Sequence, residues 1–315
     1  MSALRLGISA CLLGQEVRFD GGHKRDRFLT DELGKYVDWV AVCPEVEVGM
    51  GTPRETVHLV RVGNQTRMVT TRSGVDYTDR MNAWARDRAE ELSREDLDGY
   101  VLKKDSPSCG VVRVKVMHDS GVPTRDGRGL FAAVLLERQP LLPVEEEGRL
   151  SDPRLRENFI ERVFGFRRLK DQFKGRWTVG SLVAFHTAHK MTLLSHSTTA
   201  YQKMGRLVAR AAQMPRAELR QEYERMFMAT LALPADTRRH TNVLMHMAGH
   251  FKKKLDSPSR QELAGCIDDY RRGLLPLVVP ITLIAHHVRA HDVQYLAGQT
   301  YLQPHPRELM LRNHV

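Results

Sequence analysis

The chain has 315 residues, 42% hydrophobic and 27% charged, a composition typical of globular proteins and not of disordered ones. Its net charge of +10 is unevenly distributed: residues 1–150 carry 22 Lys and Arg against 24 Asp and Glu, and residues 151–315 carry 26 against 14. The start of the chain lacks the pattern of a signal peptide, and the longest apolar stretch, 274–285, is too short to cross a bilayer. We therefore expect a cytoplasmic protein of two domains that is not associated with membranes.

The first half of the chain alternates strand and helix patterns. A hairpin is predicted over 57–71 with its turn at Gly63-Asn64, and an amphipathic helix begins near Thr78. Short apolar runs predict four further strands, at 6–10, 37–42, 100–103 and 131–136. This alternation predicts an α/β domain over 1–140 with a mostly parallel, Rossmann-like sheet.

The second half contains only helical patterns. A segment rich in proline and glutamate, 141–153, indicates a linker, and 154–315 is predicted to be an all-α domain. Ser259 and Glu262 have the spacing of a capping box at the start of one of its helices. The predicted helices span 153–164, 179–196, 199–213, 217–231, 242–255 and 260–273, with a seventh after Pro280. The basic excess of this half favours a polyanionic partner, although some basic helical domains are merely soluble.

Three cysteines share a position in the predicted fold. Cys11, Cys43 and Cys109 each follow a predicted strand, and loops at the carboxyl ends of parallel strands meet at one edge of a sheet. Three thiolates would leave a metal site one ligand short, which is typical of catalytic centres. By spacing alone, three unrelated core cysteines are an equally good interpretation. Cys266 lies in a helical pattern among apolar residues and is expected to be a small buried side chain.

The residues around these cysteines favour a reactive site. Ser106 is suited to cap a helix with Pro107 at its first position, which would put Cys109 in the first turn, where a thiolate is stabilised. Pro44 forces an extended or turned backbone at Cys43, so that Glu45 would lie beside whatever Cys43 binds.

Several separate motifs resemble the thiouracil desulfidase (TudS) family. They occur in the expected order over about residues 4–140: SACLLG (9–14), VRFDGG (17–22), CPE (43–45), PR (53–54) and KKDSPSCG (103–110). The second half resembles the helical YbgA-like domain through FHTAHK (185–190), LSHS (194–197) and Tyr201. This combination is similar to that of tRNA 4-thiouridine desulfidases of the RudS type. Phe19 stands where many relatives have tyrosine.

The resemblance implies a [4Fe-4S] cluster on Cys11, Cys43 and Cys109 with one iron open. It also implies acid–base catalysis by Glu45 and a substrate contact by Ser106. A soft iron would coordinate the thiocarbonyl sulfur while Glu45 deprotonates the attacking water, giving uridine and hydrosulfide without net redox change. As alternatives, Glu45 is a solvated loop carboxylate and Ser106 a helix cap.

Further residues of these motifs are candidate substrate contacts: Arg18, Asp20, Arg54 and Ser108. Arg18 and Arg54 would hold a phosphate or the base, or would only pair with Asp20 or Glu47; the sequence favours neither.

The basic half offers candidate contacts to the tRNA backbone. They are Arg168, Lys174, Lys190, Lys203, Arg206, Arg210, Lys252 and Lys253. The pairs His186/His189 and His246/His250 have helical spacing but lack the glutamate of a zinc hydrolase motif, so packing or RNA contact is the preferred interpretation.

The sequence thus predicts a tRNA 4-thiouridine desulfidase. The alternatives are a desulfidase of free 2-thiouracil or thionucleotides, and a non-enzymatic nucleic-acid-binding sensor that holds an iron–sulfur cluster or zinc.

Overall fold

A computed structural model describes residues 4–118 and 120–314 of the chain. The chain divides into two compact units between Ser151 and Asp152. In the first unit the strands are β1 (Leu4–Ser9), β2 (Val37–Val42), β3 (Val57–Val62), β4 (Gln65–Thr70), β5 (Gly99–Leu102), β6 (Val114–Met117), β7 (Thr124–Gly127) and β8 (Val144–Glu146). Its helices are α1 (Pro44–Glu47), α2 (Thr78–Arg94) and α3 (Leu130–Arg138).

A four-stranded parallel sheet forms the centre of the first unit. Its order is β2-β1-β5-β8, with Leu4 opposite Val37 in the first pair and Tyr100 opposite Val144 in the last. All three neighbouring pairs are parallel. This sheet confirms the predicted α/β class, because parallel strands need crossover connections that cover the sheet faces.

A second sheet contains the predicted hairpin. β3 and β4 pair antiparallel with Val62 opposite Gln65, and Gly63 adopts a positive φ of 56° in the turn between them. The order is β4-β3-β6-β7, in which β3 and β6 are parallel and β6 and β7 antiparallel.

The run predicted as a strand at 131–136 is instead helix α3, so that prediction was wrong. Phe131 is fully buried, and its ring lies 5.4 Å from that of Trp84 on α2 and 5.9 Å from that of Tyr100 on β5. A short apolar run has no periodicity that separates a buried strand from a buried helix, and here the packing against α2 favours the helix.

The segment 141–153, predicted as a linker, differs from that expectation. Its residues 144–146 form β8, the edge strand of the parallel sheet, and a helical turn follows at Arg149–Ser151. Glu146 is buried because its carboxylate accepts hydrogen bonds from the backbone N–H groups of Val111 and Val112. The run of glutamates therefore belongs to the sheet and not to a solvated connection.

In the core of the parallel sheet, the backbone of Gly7 lies close to the ring of Tyr100. Leu6 and Ile8 of β1 are fully buried beside Tyr100. A Cβ on Gly7 would come within 2.1 Å of the Tyr100 ring, so only glycine allows the ring to lie against β1.

The second unit is helical throughout its described residues. Its helices are α4 (Pro153–Phe173), α5 (Val179–Ala188), α6 (Lys190–His196), α7 (Thr198–Ala209), α8 (Arg216–Leu231), α9 (Thr237–Gly249), α10 (Ser257–Arg271), α11 (Val278–Ala290) and α12 (Gln294–Ala297). The predicted all-α class is confirmed. None of the helices in the described part of the chain combines the length and the apolar character needed to span a membrane.

Helix boundaries differ from the sequence expectation in several helices, and α4 extends to Phe173 where an end at residue 164 was predicted. The pattern 179–196 is divided into α5 and α6 at His189. α9 begins at Thr237 because Asp236 caps it, and α10 is capped by Asp256, whose carboxylate accepts from the Ser259 N–H. Ser259 therefore receives a cap and does not provide one.

Candidate active site

Cys11, Cys43 and Cys109 line one cavity of about 370 Å³ in the first unit. Cys11 lies in the helical turn after β1, Cys43 directly follows β2, and Cys109 lies in the turns after β5. The three strands are neighbours in the parallel sheet, so their carboxyl ends bring the three loops to the same edge. The cavity is thus where the sequence predicted that the thiols would meet.

All three cysteines are free thiols whose pKa values are raised. Burial raises the pKa of Cys11 to about 11 and that of Cys109 well above its usual range. Burial also raises the pKa of Cys43. The predicted stabilisation of a Cys109 thiolate by a helix start is absent, because the residues after Ser106 form turns and no helix begins there. Burial thus disfavours the thiolate forms, and a bound cation would oppose this effect.

The three sulfur atoms influence one another electrostatically. After burial and the opposing hydrogen bond from Ser9, the negative charges of Glu45, Cys11 and Cys43 also raise the pKa of Cys109. The positive charges of Lys103 and Arg18 lower the pKa of Cys11. The cavity therefore combines three soft donors, one carboxylate and several cations.

The soft donors of this cavity are three cysteine thiols. Within residues 4–118 and 120–314, no three His, Cys, Asp or Glu side chains lie close enough together to hold one metal ion. Thiolates are the usual protein ligands of iron–sulfur clusters. Cys11, Cys43 and Cys109 are the soft ligands of this cavity, and three of them leave one position of a four-iron cluster without a cysteine.

Glu45 is held in the cavity wall by a buried arginine. It lies on α1, directly after the backbone turn that Pro44 initiates. Its Oε2 accepts from Nε and Nη2 of Arg54 at 2.9 and 2.5 Å, and the Arg54 side chain is only 5% exposed. The pairing partner of Arg54 is thus Glu45, and neither Asp20 nor Glu47, which the sequence had offered.

Ser108 donates a hydrogen bond to the same carboxylate. It is fully buried, and its hydroxyl donates to Oε1 of Glu45 at 2.9 Å. This position differs from the substrate contact expected of Ser108, because the side chain does not line the cavity. With Arg54 on one oxygen and Ser108 on the other, the carboxylate of Glu45 has a fixed orientation.

Ser106 lines the cavity and leaves its hydroxyl hydrogen available. Its Oγ accepts from the backbone N–H groups of Ser108 and Cys109 at 3.2 and 3.1 Å. Accepting these bonds uses the lone pairs of the oxygen and not its O–H. Ser106 therefore caps the turn that carries Cys109, and it can also donate to a bound molecule.

Arg18 and Asp20 pair with each other at the cavity mouth. Arg18 lines the cavity, its Nε lies 3.4 Å from Oδ1 of Asp20, and its guanidinium lies over the Phe19 ring. The Gly22 N–H lowers the pKa of Asp20, and Arg18 lowers it further. Asp20 is exposed and does not line the cavity.

Sequence reasoning missed two polar residues of the site, Lys103 and Glu147. Lys103 lines the cavity and pairs with the buried Glu147 at 2.5 Å, while the Lys104 N–H donates to the same carboxylate. Lys103 could have been found from the sequence, because it is the first residue of the KKDSPSCG motif. Glu147 was unpredictable because its segment was interpreted as a linker.

The predicted tRNA contacts in the second unit have different surroundings. Arg168 is engaged internally, since its Nε donates to His189 and its Nη1 to the Pro304 carbonyl. Lys190 is half-buried. The exposed members of the set are Lys174, Lys203, Arg206, Arg210, Lys252 and Lys253.

The two histidine pairs also differ. His186 and His189 are buried, with Nδ1 contacts to the Tyr223 hydroxyl and the Phe185 carbonyl, so they are packing residues. Burial lowers the pKa of His186 to about 4 and that of His189 to about 3. His246 and His250 are exposed.

Comparison with known proteins gives a separate match for each unit. The family described as 2-thiouracil desulfurase matches residues 6–147, and DUF1722, a family of unknown function, matches 190–306. The uncharacterized protein YbgA of Escherichia coli strain K12 is 35% identical over 161 residues, 51% of this chain and 95% of YbgA. The uncharacterized protein YbbK of Bacillus subtilis strain 168 is 31% identical over 153 residues, 46% of this chain and 97% of YbbK.

A solved structure of a [4Fe-4S]-dependent thiouracil desulfidase, TudS, is also similar. It has 33% sequence identity and a TM-score of 0.38, and the match covers 47% of this chain and 93% of that chain. The family matches confirm the two-part resemblance that the motifs predicted.

Proposed function

Because the chain belongs to the 2-thiouracil desulfurase family in its first unit and to the family of YbgA in its second, we propose that it removes sulfur from 4-thiouridine in tRNA. The proposed products are uridine and hydrosulfide. The observation that carries the proposal is the cavity in which three free cysteines and the fixed carboxylate of Glu45 lie together.

We infer that Cys11, Cys43 and Cys109 hold a [4Fe-4S] cluster, as the motifs imply. Their thiols, raised in pKa by burial, are suited to losing their protons only when a cation is bound. When bound, the cluster supplies a soft Lewis-acidic iron for the thiocarbonyl sulfur.

Glu45 is the proposed general base. An ionised glutamate accepts the proton of a water that attacks the ring carbon carrying the sulfur. Arg54 and Ser108 fix the carboxylate so that it does not rotate away from this water. Its remaining lone pairs are available for the proton, because each carboxylate oxygen has more than one acceptor site.

Ser106 is the proposed hydrogen-bond donor to the substrate. Its free O–H can donate to the ring or to the anion that develops there, which is typically worth about 10²-fold in rate. Its two backbone hydrogen bonds fix the oxygen against the turn of Cys109.

The positive charge of the second unit favours a substrate base that is part of an RNA. Its half of the chain carries 26 Lys and Arg against 14 Asp and Glu, and six of the predicted contacts are exposed. Clustered cations of this kind bind the phosphates of structured RNA. A free thiopyrimidine would need none of them.

The decisive test is anaerobic incubation of the reconstituted full chain with tRNA that contains 4-thiouridine, followed by digestion to nucleosides. We expect conversion of 4-thiouridine to uridine with release of hydrosulfide. Unchanged 4-thiouridine in tRNA, with iron and sulfide bound and free 2-thiouracil converted, would contradict the tRNA assignment and favour the small-molecule alternative.

A further inference from the structure

A cluster of rings and cations lies in the second unit, and none of its residues lines the cysteine cavity. His246 lies in the last turn of α9 and His250 directly follows that helix, Tyr295 lies on α12, and Lys190 is the first residue of α6. Three elements that are distant in sequence therefore contribute to one surface. None of its members has a role in the chemistry proposed above.

The rings of this cluster are stacked. The His250 and Tyr295 rings lie 5.2 Å apart at an angle of 27°, and the edge of His246 meets His250 at 5.6 Å. The Lys190 ammonium lies 5.9 Å from the centre of the Tyr295 ring. Tyr295 is 36% exposed, and both histidines are exposed as well.

The surroundings of the cluster are cationic. Burial lowers the pKa of His246, and the positive charges of Lys190 and His250 lower it further. Lys252 and Lys253 follow His250 in the chain and are exposed. The carboxylate closest to Tyr295 in sequence, Asp292, accepts a hydrogen bond from the Gln294 side chain. One cation thus lies beside the rings, and two more follow His250 in the chain.

We propose that Lys190, His250 and Tyr295 form a stacking platform that binds an unpaired nucleotide of the RNA substrate. This inference rests on the proposed function, because it assumes that RNA is the partner. Unpaired bases stack on tyrosine and histidine rings, whereas the bases of an A-form duplex are hidden in its stack. A lysine beside the rings meets the phosphate of the same nucleotide.

Other occupants fit less well. An apolar protein partner would gain little from two polar imidazole rings and an ammonium group. An acidic protein would be attracted by the cations but would not need two stacked rings. The combination of flat rings and cations is the one that matches a nucleotide, which has a flat base and an anionic phosphate.

The test measures the affinity of the full-length protein for a uridine 10-mer and for a blunt RNA duplex of equal length, by fluorescence anisotropy at fixed salt. Tyr295→Ala is expected to weaken binding to the 10-mer by about 5-fold or more, as removal of a stacking ring typically does. Tyr295→Phe, which keeps the ring, is expected to bind within about 2-fold of wild type. Duplex binding should change little in either variant.

The role of Lys190 is tested through the salt dependence of the affinity for RNA. Lys190→Gln should reduce the slope of log Kd against log salt by about 0.7 for the single strand, the effect of one lost phosphate contact. Arg271→Gln removes the same charge from an exposed, ion-paired position outside the platform and should leave the slope unchanged. Equal slopes for wild type and Lys190→Gln would overturn the role of the lysine.

Failure of the platform can be distinguished from failure of the proposed function. If wild type converts 4-thiouridine in tRNA while Tyr295→Ala and His250→Ala bind the 10-mer as tightly as wild type, the platform is wrong and the proposed function stands. The platform would also be overturned if the duplex bound more tightly than the 10-mer. The same holds if polyglutamate displaced the labelled 10-mer as effectively as the unlabelled 10-mer does. Unchanged far-ultraviolet circular dichroism in these variants verifies that the helical second unit is folded.

Discussion

Arg54 and Glu45 form a largely buried ion pair in the wall of the cysteine cavity. Two nitrogens of Arg54 donate to the same carboxylate oxygen of Glu45, and the two side chains are 5% and 15% exposed. The third nitrogen of the guanidinium donates to the carbonyls of Val17 and Gly51. Arg54 therefore connects the segment between β1 and β2 and the loop after α1 to the proposed general base.

Loss of the arginine should destabilise the protein. For Arg54→Ala we expect the free energy of unfolding to fall by about 2–3 kcal/mol, less than the about 3–5 kcal/mol for a fully buried pair, because Glu45 keeps some contact with water. Urea denaturation measures this change. The double variant Arg54→Met/Glu45→Gln leaves no unpaired charge and should recover part of the loss; no recovery would argue that the arginine acts only through packing.

Replacement of the carboxylate should remove turnover, and it also leaves the buried Arg54 without its ionic partner. Glu45→Gln keeps the size of the side chain and an oxygen for Ser108, but it cannot accept a proton from water. We expect kcat for 4-thiouridine to fall by about 10²–10⁴-fold, the usual contribution of a general base. Glu137→Gln, on the exposed end of α3, serves as the matched control. Turnover of Glu45→Gln at the wild-type rate would remove Glu45 from the mechanism.

The cofactor assignment can be tested without an activity assay. Serine in place of Cys11, Cys43 or Cys109 should lower bound iron and acid-labile sulfide and abolish visible absorbance after anaerobic reconstitution, because hydroxyl groups are poor ligands for iron–sulfur clusters. Cys266→Ser is the control, since Cys266 lies on α10 in the second unit. Full iron and sulfide content in all three variants of the cavity would rule out the cysteine ligation.

Two exposed cations on α7, Lys203 and Arg206, should contribute to tRNA affinity through charge alone. Lys203→Gln and Arg206→Gln remove exposed cations from this helix, whose Met204 and Leu207 are buried. If each contacts one phosphate, each should reduce the slope of log Kd against log salt by about 0.9 for double-stranded regions. Turnover of free 4-thiouridine should not change. Lys35→Gln, an exposed lysine of the first unit, is the control, and a loss as large as that of the α7 variants would show a non-specific charge effect.

Burial of His186 predicts a stability that depends on pH. Burial lowers the pKa of His186 from 6.5 to about 4. Between these two pH values the unfolded chain binds a proton that the folded chain does not, so the free energy of unfolding decreases as the pH falls from 6.5 toward 4. The full shift corresponds to at most about 3.4 kcal/mol.

The measurement compares His186→Phe with wild type by urea denaturation from pH 7.5 to 5. At about pH 5.5 the slope of unfolding free energy against pH should be smaller in the variant by up to about 1.4 kcal/mol per pH unit, the effect of one proton. His23→Phe changes an exposed histidine and should keep the wild-type slope. A wild-type slope in His186→Phe would mean that this histidine is not the titrating group.

Local patterns were sufficient for much of the fold. β1, β2, β5 and the β3–β4 hairpin follow from short β-rich runs bounded by turn residues, and the helices of the second unit follow from their apolar periodicity. The meeting of Cys11, Cys43 and Cys109 was predictable too, because each lies at the same end of a parallel strand. In each case the information lies within a few residues or in a general rule of sheet geometry.

Other features depend on partners that are distant in sequence, and only the tertiary structure decided them. Phe131 is helical because α2 and Tyr100 surround it, and Glu147 is buried because Lys103 meets it from another loop. Ser108 is hidden beneath Glu45, 63 residues earlier in the chain. The exposure of His250 beside Tyr295 likewise depends on how α9 and α12 pack. A buried polar group is stable only when a partner satisfies it, and the sequence names the candidate partners without fixing which of them packing brings together.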